Sequence, residues 1–252
     1  MYKNILVTAT NSPYYDSLLT LISGVHEHSV NIVDKIFVYN LGLDINEIKN
    51  LNSLKNVEVL DFPETPTSLH PKFMEPKSYV YKIYCMHNAS KLGENVLWLD
   101  SGASPLKSIE VIYQKINEDQ IFLVGDIHLN RNYTHTDCRN CLSATEDELN
   151  GKQLWAGLVG YKSNGKYQHI FDEAYRLSLI QGCLDGNQEN HRHDQSILSI
   201  LTHRYDCPRQ DIDIFGYWTD WDRNLNIARE IGSVIFAHRR GHNDKTHLIY
   251  EN

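Results

Sequence analysis

A chain of 252 residues with a formal net charge of −8 and 22% charged residues is long enough for one large α/β domain or two small ones. The acidic balance argues against a nucleic-acid partner or an anionic membrane over most of the surface. No run approaches the roughly 18 apolar residues of a membrane span. Met1-Tyr2-Lys3-Asn4-Ile5-Leu6-Val7 lacks the apolar region of a signal peptide, and the five cysteines (Cys85, Cys138, Cys141, Cys183, Cys207) are odd in number and scattered. A reducing cytoplasm is the expected setting.

Asn4 to Thr10 is a β-branched run that predicts a buried strand. Ser12 and Pro13 then suit the N-cap and first position of a helix carrying Leu18, Leu19 and Ile22 and stopping near Gly24. Lys35 to Asn40 predicts a second strand. Asp44 with Glu47 reads as a capping box for a short helix through Ile48 and Leu51, and Val57 to Leu60 as a third strand. Phe62 to Pro76, with four prolines, reads as a surface loop. Ser78 to Leu92 returns to helical spacing, with Gly93 as its stop. After the apolar run Val96 to Leu99, the spacing of Ile109, Ile112 and Ile116 predicts a helix and Ile121 to Gly125 a strand. Asp126 to Lys152 is polar and without period, a length typical of a lid or binding loop. Trp155 to Tyr161 predicts a strand, Tyr167 to Gln181 an amphipathic helix stopped by Gly182, Asp194 to Leu201 a helix, and Val234 to Ala237 a late strand before a polar tail. Strands alternating with helices in this way imply βαβ units and a mostly parallel sheet with helices on both faces.

The run Val96-Leu97-Trp98-Leu99 ends abruptly at Asp100-Ser101-Gly102. A carboxylate at the carboxyl end of a buried strand sets a negative charge at the sheet rim, where ligands of open α/β sheets sit. Asp100 could equally start a turn.

Four further stretches give this one a context. Val96 to Gly102 is similar to the strand-plus-acid segment of GT-A-fold glycosyltransferases, where an Asp-x-Asp element meets the metal and the sugar diphosphate. Trp155-Ala156-Gly157-Leu158-Val159 resembles the small-residue strand that follows it in the retaining glycogenin-like and lipopolysaccharide galactosyltransferase-like group. His193-Asp194-Gln195-Ser196-Ile197-Leu198 resembles that group's Asp-Gln-x-x-Leu helix start, and Phe236-Ala237-His238 its segment with a metal-ligand histidine. Lys3 to Thr10 is placed like the first strand, whose end contacts the nucleotide base. The resemblance runs from Lys3 to His242. It implies a single GT-A-type, Rossmann-like domain over residues 1–252, with 1–125 as the nucleotide-binding half and 126–252 as the acceptor-side half and tail.

The resemblance implies transfer of a sugar from a nucleotide-diphosphate donor to a glycan, a lipid-linked glycan or another hydroxyl acceptor. The leaving diphosphate needs electrostatic stabilisation by a metal or by Arg and Lys side chains. Asp100 and His238 would hold Mn²⁺ or Mg²⁺, but Gly102 stands where the second Asp of Asp-x-Asp is expected, so one carboxylate is missing. Lys82, Arg239 and Arg240 are candidate cationic contacts to the diphosphate. Thr8, Ala9, Thr10 and Asn11 would meet the nucleotide at the end of the first strand, with Ser101 beside the acid. Trp155, Ala156 and Gly157 would line the sugar, and Asp194 and Gln195, with Asp100, would act at the anomeric centre.

Two other readings stay open. The His191-x-His193-Asp194 run suits a metal-dependent hydrolase, provided further ligands converge on it. Alternatively, loss of the second Asp leaves a sugar- or nucleotide-binding scaffold without catalysis. Cys138 and Cys141, with His135 nearby, form a lone Cys-x-x-Cys and read as loop thiols.

Overall fold

The structure, a computed structural model, describes residues 1–64, 70–186, 189–211, 215–217 and 224–251. Residues 65–69 of the proline-rich loop expected over Phe62 to Pro76 lie outside the described residues. Its centre is a six-stranded sheet of order β3-β2-β1-β4-β7-β6, built from β1 (Tyr2–Thr10), β2 (Lys35–Asn40), β3 (Val57–Leu60), β4 (Gly93–Leu99), β6 (Ile121–Leu129) and β7 (Lys152–Lys162). β1 to β4 are mutually parallel, whereas β7 runs antiparallel to both β4 and β6. The expected mostly parallel sheet is therefore present, with one reversed strand inside it. A smaller sheet of order β5-β9-β8 joins β5 (Ser104–Pro105), β8 (Gly216–Tyr217) and β9 (Ile235–Phe236).

The alternation of β1 divides the core. Ile5, Val7 and Ala9 face one apolar layer with Val96 and Trp98, covered by α3 (Val80–Ala89), α8 (Gln168–Ser178) and α9 (Asp194–Arg204). Leu6 faces the other with Leu97 and Leu99, covered by α1 (Tyr15–Ser29) and α4 (Glu110–Asp119). Each fully buried Leu or Ile in these layers contributes about 1.5–3 kcal/mol relative to exposure. α2 (Ile45–Asn52) starts on the expected capping box: Asp44 accepts from the Asn46 and Glu47 amides, and Glu47 accepts from the Asp44 amide. Among the described residues no helix is long and apolar enough to cross a membrane.

Several expectations need correction. Ser12 does not cap α1. It lies in a 3-10 turn (Ser12–Tyr14) and its hydroxyl donates to Glu47 at 2.6 Å. Gly24 does not end α1 but lies within it, where an added Cβ would stand 2.5 Å from the Ser104 hydroxyl. Its smallness lets α1 approach β5. Gly93 opens β4 rather than stopping α3. The supposed long loop from Asp126 to Lys152 holds the end of β6, three short helices α5 (Asn130–Tyr133), α6 (Thr136–Leu142) and α7 (Glu146–Asn150), and the start of β7. Thr145 and Glu148 form a capping box for α7. Cys138 and Cys141 are therefore helical, and Cys138 is buried with its thiol against that of Cys183. All five cysteines are free.

Candidate active site

The rim formed by the carboxyl ends of β1 and β4 and the start of β7 gathers three charged side chains. Asp100 leaves β4 with its amide donating to the Gly157 carbonyl at 3.0 Å, so the acid is held against β7. Lys82, on the first turn of α3, is 3% exposed and reaches up from beneath the sheet edge. Its Nζ lies 2.9 Å from Asp100 Oδ1 and 3.1 Å from Asp194 Oδ2, at the start of α9. The second contact is an ion pair without the angle of a directed hydrogen bond. Trp98, two residues before Asp100 on the same strand face, donates its indole N–H to Asp100 Oδ1 at 2.8 Å.

Burial alone would lower the Lys82 pKa, but the charges of Asp100 and Asp194 outweigh it and hold the ammonium above the usual lysine value. Burial pushes the Asp194 carboxyl up, and Lys82 offsets this only in part. The trio is thus a permanent cation shared by two acids. Asp194 is sealed, with 4% of its side chain exposed, and Asp100 is the open member at 45%.

Strained backbone positions the two helices that carry this pair. α3 is entered from Tyr79 at φ 59° and α9 from His193 at φ 50°, both in the left-handed region. Non-glycine residues there cost on the order of 1–3 kcal/mol each and persist where surroundings hold them. Here the two rings stack on each other, 5.2 Å apart and 20° from parallel. The His193 Nδ1–H donates to the Leu184 carbonyl at 2.8 Å. The entry turns of Lys82 and Asp194 therefore brace one another.

Gly157 supplies a bare floor: a Cβ there would stand 2.5 Å from the Trp155 indole nitrogen and 3.0 Å from Asp100 Oδ2. Ala156 is buried beside it and Trp155 is half-buried. Gln195 donates to the Gln153 side chain at 2.7 Å, which orients its amide from β7. Ala9 continues the β1–β4 register (Val7 pairs with Trp98) to lie alongside Asp100. Thr8, Ala9 and Thr10 are buried at the end of β1, and the Thr8 hydroxyl and Asn11 side-chain oxygen have no hydrogen-bond partner among the described residues. Ser101 is 9% exposed in the turn after Asp100.

The β5–β9 pairing aligns Ser104 with Phe236, and extending it by two residues sets Gly102 opposite His238. The Arg239 amide donates to the Gly102 carbonyl at 2.6 Å. A Cβ at Gly102 would stand 2.8 Å from Arg239 Cα and 3.0 Å from its carbonyl oxygen. The third position of the would-be Asp-x-Asp therefore has no room for any side chain. Arg240 places its guanidinium 5.1 Å from the Tyr14 ring centroid, beside the exit of β1. His238 is fully buried against Phe236 and His242, and its ring nitrogens have no hydrogen-bond partner among the described residues. Burial first, then the His242 charge, pulls its pKa down to about 4. It is a neutral imidazole.

These residues do not fit the two-carboxylate metal centre implied by the fold class. Gly102 excludes the second acid, one oxygen of Asp100 is taken by Lys82 and Trp98, and no group of three or more His, Cys, Asp or Glu among the described residues could hold an ion. The hydrolase reading finds no support either. His191 Nδ1 accepts from the His135 amide at 3.2 Å, His193 is stacked on Tyr79, and Asp194 is paired with Lys82, so the three do not converge.

The sequence singled out Lys82, Asp100 and Asp194 separately, and His193 only as a hydrolase ligand; Trp98, Tyr79 and Gln153 were missed as site residues. Trp98 had a signal, its i, i+2 spacing from Asp100 along a strand. Tyr79 and Gln153 had none, since their roles arise only from tertiary contact.

A mostly parallel sheet with an acid at the rim of β4, a small-residue antiparallel strand beside it and a second acid at a helix start is the GT-A glycosyltransferase fold. Among solved structures, the chain is similar to the galactosyltransferase LgtC in complex with donor and acceptor sugar analogues, with TM-score 0.57, 12% identity, and 96% of this chain and 91% of that one covered. It is also similar to mouse xyloside xylosyltransferase 1 in its apo form (TM-score 0.57, 11% identity, coverage 96% and 99%). A third is the bifunctional glycosyltransferase WbbM (TM-score 0.62, 12% identity), of which 46% is covered by 96% of this chain. No protein-family model matches the sequence, and no curated protein matches it.

Proposed function

We propose that this protein is a glycosyltransferase that moves a sugar from a nucleotide-diphosphate donor to a glycan or other hydroxyl acceptor. The observation that carries this reading is the convergence of Asp100, Lys82 and Asp194 at the carboxyl rim of the sheet, between the end of β1 and the start of β7. In open α/β sheets that rim is where nucleotides bind.

In this reading residues 1–252 act as one glycosyltransferase-like domain. Residues 1–125 supply the nucleotide-binding half and 126–252 the acceptor side and tail. Thr8, Ala9, Thr10 and Asn11 receive the base and ribose, and Ser101 lies at the diphosphate. Trp155, Ala156 and Gly157 form a flat wall and floor for the sugar, whose C–H face stacks on indole. Asp100, half-exposed and oriented by Trp98, accepts hydroxyl protons of the donor sugar. Asp194 and Gln195 sit near the anomeric centre, where a carboxylate favours the positive charge that develops as the glycosidic bond to phosphate breaks. Lys82 keeps Asp194 in place as a paired, charged group rather than an isolated buried acid. Mn²⁺ or Mg²⁺, the usual counter-ion to the diphosphate in this fold class, has no second carboxylate here, so no step is assigned to it. A lipid-linked acceptor would bring the protein to the cytoplasmic face of a membrane.

The test is twofold. Asp100→Ala and Asp194→Ala are each expected to abolish transfer from a nucleotide sugar while leaving the circular dichroism spectrum unchanged. Wild-type turnover in Asp100→Ala would remove the proposal. Nucleotide binding with neither transfer nor donor hydrolysis would assign the protein as a binding scaffold instead.

A further inference from the structure

The next step rests on the transferase reading and concerns how the donor's diphosphate charge is met. At Gly102, an added Cβ would lie inside the backbone of Arg239, and the short Arg239 N–H to Gly102 carbonyl bond ties the two segments together. A carboxylate cannot enter that position without separating β5 from the chain after β9. The space that a second metal-binding acid would need is filled by the segment carrying two arginines.

That segment is also well placed. Arg239 is bonded to the turn directly after Asp100, and Arg240 lies over Tyr14 in the turn that leaves β1. Both side chains are exposed; the Arg239 backbone is bonded to the turn after β4, and the Arg240 guanidinium lies against Tyr14 beyond the end of β1. At the same rim, Lys82 offsets part of the charge of Asp100. With Lys82 charged, Asp100, Asp194 and Lys82 carry a net charge of −1 rather than the −2 of the two acids alone. This eases the approach of a diphosphate to Asp100. Guanidinium groups suit phosphate oxygens because they present paired N–H donors in a fixed plane.

We infer that the donor site binds a nucleoside diphosphate without a divalent metal ion, its charge being met by the guanidinium groups of Arg239 and Arg240 beside an Asp100 whose charge Lys82 offsets in part.

Isothermal calorimetry on the full chain tests this with UDP, GDP and CMP, each in excess EDTA and again in excess Mn²⁺ or Mg²⁺. The expected result is that UDP or GDP binds in EDTA with an affinity within about threefold of that in metal, a difference under 1 kcal/mol, whereas binding of CMP alone would overturn the inference. Binding that requires the metal, or tightens about tenfold or more with it, would overturn the metal-free inference and leave the transferase reading standing. Failure of all three nucleotides in both conditions would instead overturn the transferase reading, and the inference with it. For the arginines, Arg239→Ala and Arg240→Ala should each weaken nucleoside diphosphate binding in EDTA by about tenfold or more, as loss of a charge-assisted contact does. Binding of the bare nucleoside should stay unchanged. Undiminished diphosphate affinity in both variants would overturn the assignment to this segment.

Discussion

Gly102→Ala isolates the steric argument on which the donor site's chemistry turns. The added methyl would meet Arg239 Cα at 2.8 Å and its carbonyl oxygen at 3.0 Å, well inside the 3.4 Å at which ordinary contact begins. Both obstacles are backbone atoms, so no rotamer change relieves them. The Arg239 N–H bond to Gly102, 2.6 Å long, holds the strands in the clashing register. Overpacking of this kind costs about 1–3 kcal/mol. For a chain of this length each kcal/mol lowers the melting temperature by about 2–4 °C, so a drop of about 2–12 °C is expected. Thermal unfolding followed by circular dichroism measures it, with Gly125→Ala as the control. There the nearest atom to an added Cβ is the Gln210 carbonyl oxygen at 3.9 Å, and a change within about 0.5 kcal/mol is expected. Equal melting temperatures for Gly102→Ala and Gly125→Ala would refute the reasoning.

Lys82→Met removes the only charge paired with the sealed Asp194 among the ion pairs of the described residues, and breaking a buried pair in this way costs about 3–5 kcal/mol in urea unfolding. Asp194 already has a raised folded-state pKa, so its contribution falls as pH rises between the unfolded and folded values. Lys82→Met should extend that decline toward neutral pH, and adding Asp194→Asn should recover part of the loss. For His191, burial pulls the pKa down from 6.5 to about 4, so its stabilising share is present above pH 6.5 and is lost as pH falls toward 4. The amount is about 3 kcal/mol, and a flatter acid limb in His191→Gln, by denaturation across that range, is the check. Gly157→Ala would press a methyl against the Trp155 indole and Asp100 Oδ2. It should weaken nucleotide-sugar binding by calorimetry more than it shifts the melting temperature.

The central fold was legible because its signals are local. The runs ending at Thr10, Asn40, Leu60 and Leu99 appear as parallel strands, and the Asp44–Glu47 capping box appears as drawn. The reversal of β7 was not legible, since a buried apolar strand reads the same in either direction. Nor were α5, α6 and α7, which are too short to show a helical period, although Thr145 and Glu148 carried an unread capping signature. Gly24 and Gly93 look like helix stops because sequence does not tell a glycine needed for close approach from one needed for a turn. At the site, Asp100, Asp194 and Lys82 were each visible as candidates. That Lys82 bridges the two acids is a tertiary fact, and so is the contact that makes residue 102 a glycine.

β6 ends and β7 begins at the same rim as Asp100, so residues 130–151 leave the sheet and rejoin it between adjacent strands, about 5 Å apart. A parallel βα unit must carry its chain the full depth of the domain to start the next strand, which fixes a minimum length. The excursion between β6 and β7 has no such obligation. It is nevertheless tied to the site: the Tyr133 carbonyl accepts from the Arg192 amide at 3.0 Å and from the Ser196 hydroxyl at 2.5 Å, and Glu148 pairs with Arg204, so both ends of α9, which carries Asp194, are held by this segment. A change of length or sequence in this segment therefore acts on Asp194 through α9 rather than on the register of the sheet.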